Sequence, residues 1–335
     1  AAGLGIAPER SYASWAEMAA AEAARPDGIE AVSIVTPNHL HFGPAKAFLE
    51  AGIHVICDKP LTHRLEDALE LERIVAASGR LFVLTHNYSG YPMIRQAREM
   101  VASGGLGDIR VVQVEYPQDW LTDALEDSGQ KQARWRTDPE KSGAGGCIGD
   151  IGTHAYQLAR FVSGLKLDRL SADLCSFVSG RQLDDNANVL LRFQGGARGM
   201  LWSSQVAPGN ANALRLRIYG SKGGLEWWQE EPNGLWHAPY GEPKRLLTRA
   251  GAGSHPAAER VSRIPPGHPE GYLEGFANIY TEAAAAIRAR AEGRGEVAQD
   301  VLFPTVEDGV EGMRFIAAAV ASSKADGRWT GLSDV

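Results

Sequence analysis

The first hundred residues alternate helical and extended segments, and few folds accommodate that order. Helical periodicity covers residues 12–24, 43–51 and 65–78, and between and after them come the short apolar runs 31–35, 53–57 and 81–85. Runs this short and this uniformly apolar read as strands of a parallel sheet covered on both faces. The alternation therefore predicts an α/β, doubly wound domain. Sheets of this kind bind ligands beyond the carboxyl ends of their strands, so the residues after each run are the first place to look for chemistry.

Those positions hold polar groups. Thr36, Pro37 and Asn38 follow the first run, Asp58, Lys59 and Pro60 the second, and Asn87 and Tyr88 lie just past the third. Thr36, Pro37 and Asn38 belong on the crevice rim, where a cofactor ribose or nicotinamide would rest, although Pro and Asn also favour turns for backbone reasons alone. Pro60 restricts the backbone beside Lys59, so the ammonium direction is set rather than sampled. His41 falls in the first turn of a helix, a poor place for a cation, and is expected to be neutral if buried. On the surface it would carry no such role.

About ninety residues later Asp150 and His154 stand four apart on a predicted helix and share one face of it. Gly143, Gly145, Gly146 and Gly149 precede them and permit close backbone approach. Oxidation of a secondary alcohol needs a base for the hydroxyl proton and positive charge for the developing alkoxide. A neutral His154 can take the proton while Asp150 orients it or bonds an adjacent hydroxyl, with Lys59 supplying the charge. The alternative makes Lys59 the base, with its pKa lowered by burial. Taken singly, Asp150 also fits a helix cap and His154 a satisfied core histidine.

A dinucleotide-binding domain of this class opens on a strand, a Gly-rich turn and a helix that hold the pyrophosphate. Here the one early match is Gly3-Leu4-Gly5, with no strand before it and Ala7-Pro8 after it. Either the chain begins after the first strand, helix and second strand, or the domain is degenerate and binds no dinucleotide. The first reading is preferred, because a sheet without its central strands would expose apolar edges. The acidic residue that distinguishes NAD from NADP would fall in that segment, so the expected cofactor is NAD or NADP.

Four segments in order, Val35-Thr36-Pro37-Asn38-His39-Leu40-His41, Asp58-Lys59-Pro60-Leu61, Thr85-His86-Asn87-Tyr88 and Gly145-Gly146-Cys147-Ile148-Gly149-Asp150-Ile151-Gly152-Thr153-His154, resemble the glucose-fructose oxidoreductase, inositol dehydrogenase and rhizopine catabolism family. The resemblance covers almost the whole chain and implies a Rossmann-like domain followed by an α+β domain. It also implies a nicotinamide-dependent oxidoreductase acting on a sugar, sugar derivative or cyclitol. In one departure Asp58 replaces the family's usual Glu before Lys-Pro. Catalytic roles then fall to Lys59, Asp150 and His154, and cofactor contacts to Thr36, Pro37, Asn38, His41, Asp58, Lys59 and Asn87. Substrate contacts are expected from Lys59, Tyr88, Trp120, Arg136, Asp150, His154 and His268.

From about Gly107 the pattern changes to successive strands at 110–116, 170–178, 187–193, 199–206, 214–219 and 225–228. This predicts a large, open, mostly antiparallel sheet over residues 107–335, after a dinucleotide-binding remainder over 1–106. Strict alternation through 214–219 leaves one sheet face outward. With Trp202, Trp227 and Trp228 expected near that face, the chain is expected to form a homo-oligomer, a dimer or tetramer. Residues 239–269 lack periodicity and are expected to form a loop reaching over the site, which would bring His268 to the substrate. The helix over 305–323 is expected to pack back on the rest of the chain.

Composition narrows the partners. A formal net charge of −7 with no basic patch argues against nucleic acid, and no apolar run is long enough to span a bilayer. Three scattered cysteines, Cys57, Cys147 and Cys175, suit a reducing cytoplasm and give no metal spacing. Two further readings remain: a non-catalytic sugar-binding or assembly protein, and a metal-dependent hydrolase using Asp150, His154 and His39 or His41.

Overall fold

The structure, a computed structural model, describes residues 2–295 and 302–335. Strands β1 (Ala31–Ile34), β2 (His54–Cys57) and β3 (Phe82–Leu84) form a parallel sheet in the order β1-β2-β3. Every residue of β2 and β3 is buried, as their largely apolar sequence requires, including His54 at the start of β2. Helices Phe42–Glu50 and Leu65–Ser78 pack against each other. Their starts and ends fall within one residue of the sequence expectation, whereas the first helix is shorter, Trp15–Ala23, because Ser14 caps it by accepting from the Glu17 amide. Ala2–Leu4 is a single 3-10 turn.

The opposite face of this sheet is covered from far along the chain. Helix Tyr272–Ala291 brings Ile279 and Ala283 onto Ile56 and Val83. Its approach to the turn Asn87–Gly90 is close enough to require glycine on both sides. A Cβ at Gly90 would lie 2.2 Å from the Gly275 carbonyl oxygen, and one at Gly275 would lie 3.0 Å from the Asn87 carbonyl oxygen. Gly90→Ala is therefore expected to cost about 1–3 kcal/mol by forcing helix and turn apart. A thermal melt that matches wild type would contradict this packing.

The second sheet has nine strands among the described residues. They are β4 (Ile109–Pro117), β5 (Leu167–Cys175), β6 (Asn186–Phe193), β7 (Arg198–Ser204), β8 (Arg215–Gly220), β9 (Gly223–Trp228), β10 (Gly234–Pro239), β11 (Arg245–Thr248) and β12 (Thr330–Gly331). The order is β11-β10-β9-β8-β4-β7-β6-β5-β12, antiparallel except for the central pair β4 and β7. That exception matters for the site. With Tyr116 opposite Ser203 and Pro117 opposite Ser204, both strands leave the sheet at the same end and deliver neighbouring side chains there.

Alternation assigns the faces. Val112, Val114, Tyr116, Leu216, Ile218, Leu225 and Trp227 are buried on the inner face, where helices Pro92–Ala102 and Thr153–Ser163 pack. Leu190 and Met200 are exposed on the outer face, and Trp202 and Trp228 are half-buried. Trp227 departs from expectation, since in a two-residue period it must face opposite to Trp228. The final helix, Val306–Lys324, packs on helix Leu65–Ser78 and on β5, where Ser322 and Ser323 accept from the Ala172 and Leu174 amides.

Two expectations for this region are corrected. β5 begins and ends three residues earlier than the 170–178 reading: Leu167 already pairs with Phe193, and beyond Cys175 the amides of Phe177 and Val178 donate to the Asp185 carboxylate instead of extending the ladder. Residues 239–269 are not a covering loop: they hold β11 and helix Pro256–Glu259. Buried Arg249 pairs with Glu270 and donates to the carbonyls of Ile264, Pro265 and His268, which fastens the segment at the sheet edge.

Candidate active site

The strand ends, the glycine-rich turn and the second sheet meet around two adjoining chambers. One, of about 290 Å³, is lined by Thr36, Pro37, Asn38, Asp58 and Thr85 from the ends of the parallel strands, with Trp135 and Phe276 opposite. The other, of about 440 Å³, is lined by Tyr88, Tyr116, Gln118, Trp120, Gln130 and Asn212. Lys59, Asn87, Arg136, Asp150, His154 and Tyr272 line both. The residues expected to be catalytic thus stand where the chambers join.

Lys59 follows β2 and reaches across to the segment that carries Asp150. Its Nζ donates to Asp150 Oδ1 and to the Asp150 carbonyl oxygen, both at 2.7 Å. The second carboxylate oxygen accepts from Arg136 Nε at 3.2 Å and Gln205 Nε2 at 2.9 Å. Burial alone would raise the Asp150 pKa, but Lys59 and Arg136 outweigh it and hold the group at about 2. Asp150 is an anion that orients Lys59, and no bond joins its carboxylate to His154. The expectation that Asp150 orients the histidine is corrected accordingly: Ile148–Gly152 is a π-helical turn, not part of the α-helix that starts at Thr153.

Asp184 holds that turn from behind. Its two carboxylate oxygens accept from the amides of Gly146 and Ile148, each at 2.7 Å, and its carbonyl accepts from Cys147 at 2.8 Å. A Cβ on Gly146 would lie 2.3 Å from the Asp184 carbonyl oxygen, which explains glycine there.

His154 is buried, and its ring packs edge-on against His86, Tyr88 and Tyr116, with centroids 5.3, 5.1 and 6.2 Å away. Burial, then the neighbouring Lys59 charge, push its pKa well below the usual range, so the ring is neutral. The floor of the larger chamber is a hydroxyl and amide network. Tyr88 Oη and Tyr116 Oη are 2.5 Å apart, Tyr116 Oη and Gln118 Nε2 donate to Asn212 Oδ1, and Trp120 Nε1 donates to Gln118 Oε1. Arg136 lies over the Trp135 ring at 4.2 Å.

The other predicted residues divide. Thr36, Pro37, Asn38 and Asp58 line the smaller chamber, Tyr88 and Trp120 the larger, and Asn87 and Arg136 both. Asp58 accepts from Thr85 Oγ1 at 2.5 Å. His41 is fully buried and lines neither chamber. Its ring nitrogens lie 2.8 Å from the Thr36 carbonyl oxygen and 2.9 Å from that of Pro60, so it sits between the two strand-end turns and, as a neutral ring, donates to one of them at a time, burial lowering its pKa as expected. His268 is exposed and is absent from both linings, because Arg249 holds its backbone at the sheet edge. Tyr272, four residues on, takes the place expected of it.

Sequence reasoning also missed Tyr116, Gln118, Gln205 and Asn212. Tyr116 was findable as the last inward residue of the series Val112, Val114, Tyr116. Asn212 carried no local signal.

A nicotinamide group suits the smaller chamber on one direct observation: Asn87 Nδ2 is buried there without a hydrogen-bond partner, a donor waiting for an acceptor. Among the described residues no three His, Cys, Asp or Glu side chains are grouped to hold a metal ion.

Residues 3–99 match a family profile described as oxidoreductase family, NAD-binding Rossmann fold, and residues 94–226 match the GFO/IDH/MocA C-terminal domain. The uncharacterised oxidoreductase YfiI of Bacillus subtilis is 37% identical over 331 residues, 97% of this chain and 84% of that protein. The chain belongs to the GFO/IDH/MocA family. Two solved structures of the family are similar throughout. An oxidoreductase from Sinorhizobium meliloti is 58% identical with a TM-score of 0.88, over 98% of this chain and 86% of that one. An inositol dehydrogenase homologue from Azotobacter vinelandii, complexed with NADH and myo-inositol, is 38% identical with a TM-score of 0.91, over 98% and 85%. The protein is accordingly a nicotinamide-dependent oxidoreductase.

Proposed function

We propose that this protein interconverts a ring hydroxyl and a ring ketone on a polyol, a sugar, sugar derivative or cyclitol, at the junction of the two chambers. The observation that carries this is the placement of Lys59, Asp150 and His154 on the wall common to both, with strand-end polar groups on one side and an amide- and phenol-lined floor on the other. The nicotinamide, when bound, accepts or supplies the hydride. Thr36, Pro37, Asn38, Asp58 and Asn87 would hold it, with Asn87 Nδ2 offering its free N–H.

His154 takes the hydroxyl proton on oxidation and returns it on reduction, since a neutral imidazole can do either. Lys59 donates a hydrogen bond to the oxygen as negative charge grows on it. Asp150, held by three donors, fixes the ammonium direction so that no side-chain reorganisation accompanies the reaction. Tyr88, Gln118, Trp120, Arg136 and Asn212 meet the remaining hydroxyls and one apolar ring face. Asp150 is already paired with Lys59 and Arg136, which leaves no free carboxylate in the larger chamber and disfavours a cationic substrate.

The division that makes Lys59 the base fits less well, because its ammonium already donates to two oxygens of Asp150. His154→Ala is expected to lower kcat about a hundredfold or more with a smaller change in KM. An unchanged kcat would remove the histidine from the mechanism. The outer face of the large sheet, with Leu190, Met200 and Trp202, is proposed to pair with a second copy of the chain, and the three free cysteines suit a reducing cytoplasm. No helix among the described residues is long and apolar enough to cross a membrane.

A further inference from the structure

His86 lies outside the set of residues read as catalytic, yet among the described residues its ring nitrogen is the side-chain atom in hydrogen-bond range of His154 Nδ1. It follows β3, is 1% exposed, and sets its Nδ1 3.5 Å from His154 Nδ1 with the ring planes at 84°. Lys59, Asp308 and Arg160 are the charged groups that act on it, Lys59 most strongly after burial itself, and the His86 ring is held neutral, with its pKa pushed down to about 3.

Two neutral imidazoles that meet Nδ1 to Nδ1 admit one hydrogen between them. Two facing lone pairs repel, and two facing N–H groups clash. Two states place a single hydrogen between the rings. If His154 donates, its Nε2 carries a lone pair and can act as a base. If His86 donates, His154 Nε2 carries the proton and can act as an acid. Neither Tyr88 Oη nor Tyr116 Oη intervenes, because the two are bonded to each other and to Asn212.

We propose that His86 is a positioning residue that fixes the tautomer of His154, accepting its Nδ1–H so that Nε2 is free to take the substrate proton. The inference rests on the reading of His154 as general base. No atoms are exchanged in the resting state. On alcohol oxidation the substrate O–H bond breaks as the His154 Nε2–H bond forms, and the Nδ1–H···Nδ1 bond to His86 shares the resulting imidazolium charge. A third group that holds a catalytic imidazole in one tautomer is a recurring device, usually a carboxylate. Here a neutral histidine fills the place, which suits a base that must also return its proton in the reverse direction.

Two experiments test this. In side-chain nitrogen NMR of the wild-type protein, His154 is expected as the Nδ1–H tautomer and His86 as the Nε2–H tautomer. The opposite assignment, or a free mixture at both rings, would overturn the proposal without any variant having to fold. In kinetics, His86→Phe is expected to lower kcat about tenfold with little change in KM, and to shift the acid limb of the kcat/KM profile to lower pH. His86→Asn, whose side-chain oxygen can accept, should recover part of the loss. Added to His154→Ala, His86→Phe should cost nothing more. Additive losses, or no loss from His86→Phe while His154→Ala is impaired, would overturn the role of His86 alone. A normal rate for His154→Ala would instead overturn the base assignment on which it rests.

Discussion

Lys59→Met is expected to lower turnover by up to about a thousandfold while the protein stays folded. The magnitude follows from what the ammonium is placed to do: removal of one pre-organised donor to a developing oxyanion costs about a hundred- to a thousandfold. The substitution also unties Asp150 from its nearest cation. Folding tolerates this, because Arg136 and Gln205 still bond the other carboxylate oxygen. Lys59→Arg should not restore activity, since a planar guanidinium cannot occupy the point position of an ammonium between the Asp150 carbonyl and carboxylate. The comparison to make is kcat beside the thermal melt. A variant that melts normally and turns over normally would end the assignment.

Stability is expected to fall steeply below about pH 6.5, because histidines are buried in the neutral form. His54 and His86 are held at about 4 and about 3, and His154 well below its usual value, all chiefly by burial. Above 6.5 these rings are neutral whether the chain is folded or not, and the fold keeps its full stability. Below it the unfolded chain binds protons that the folded protein refuses, so stability is lost as pH falls toward the folded values. Each such ring contributes a loss of about 1.4 kcal/mol per pH unit, so the three together approach about 4 kcal/mol per unit. His54 adds a structural reason, since its Nδ1 accepts the Leu81 amide at 2.8 Å and protonation there breaks that bond. Asp150 acts in a lower window: its stabilisation persists above its ordinary value of 3.8 and is lost only as pH falls toward about 2. Urea unfolding at pH 7.5, 6.5 and 5.5 separates the two. A flat response between 6.5 and 5.5 would mean that the histidines are solvated or already charged.

The parts of the fold read most accurately were those fixed by local pattern. β2 and β3 are apolar apart from His54, the alternation along β8 sets its inner and outer face, and the polar groups after β1, β2 and β3 converge because parallel strands end on one side. What was missed depends on pairing and tertiary contacts rather than on local pattern. β10 and β11 are short, bounded by Pro and Gly, and form because they pair with each other and with β9. Residues 239–269 look like a free loop until Arg249 meets Glu270. His268 fell away from the site for that reason, and Tyr272 entered it on a helix whose seat depends on Gly90 and Gly275. Asp150 and His154 do stand together at the site. The π turn between them gave no signal in sequence, and it sends the aspartate to Lys59 rather than to the histidine.

The most direct measurement uses myo-inositol deuterated at its ring carbons, incubated with the protein and either NAD+ or NADP+, with the reduced nucleotide examined by mass spectrometry. Hydride transfer at the junction of the chambers predicts a reduced nucleotide carrying one deuterium, formed by the wild-type protein and not by Lys59→Met. If myo-inositol is not accepted, the same test with other deuterated ring polyols carries the same prediction. Reduced nucleotide without deuterium, or none from any such polyol, would contradict the proposed reaction.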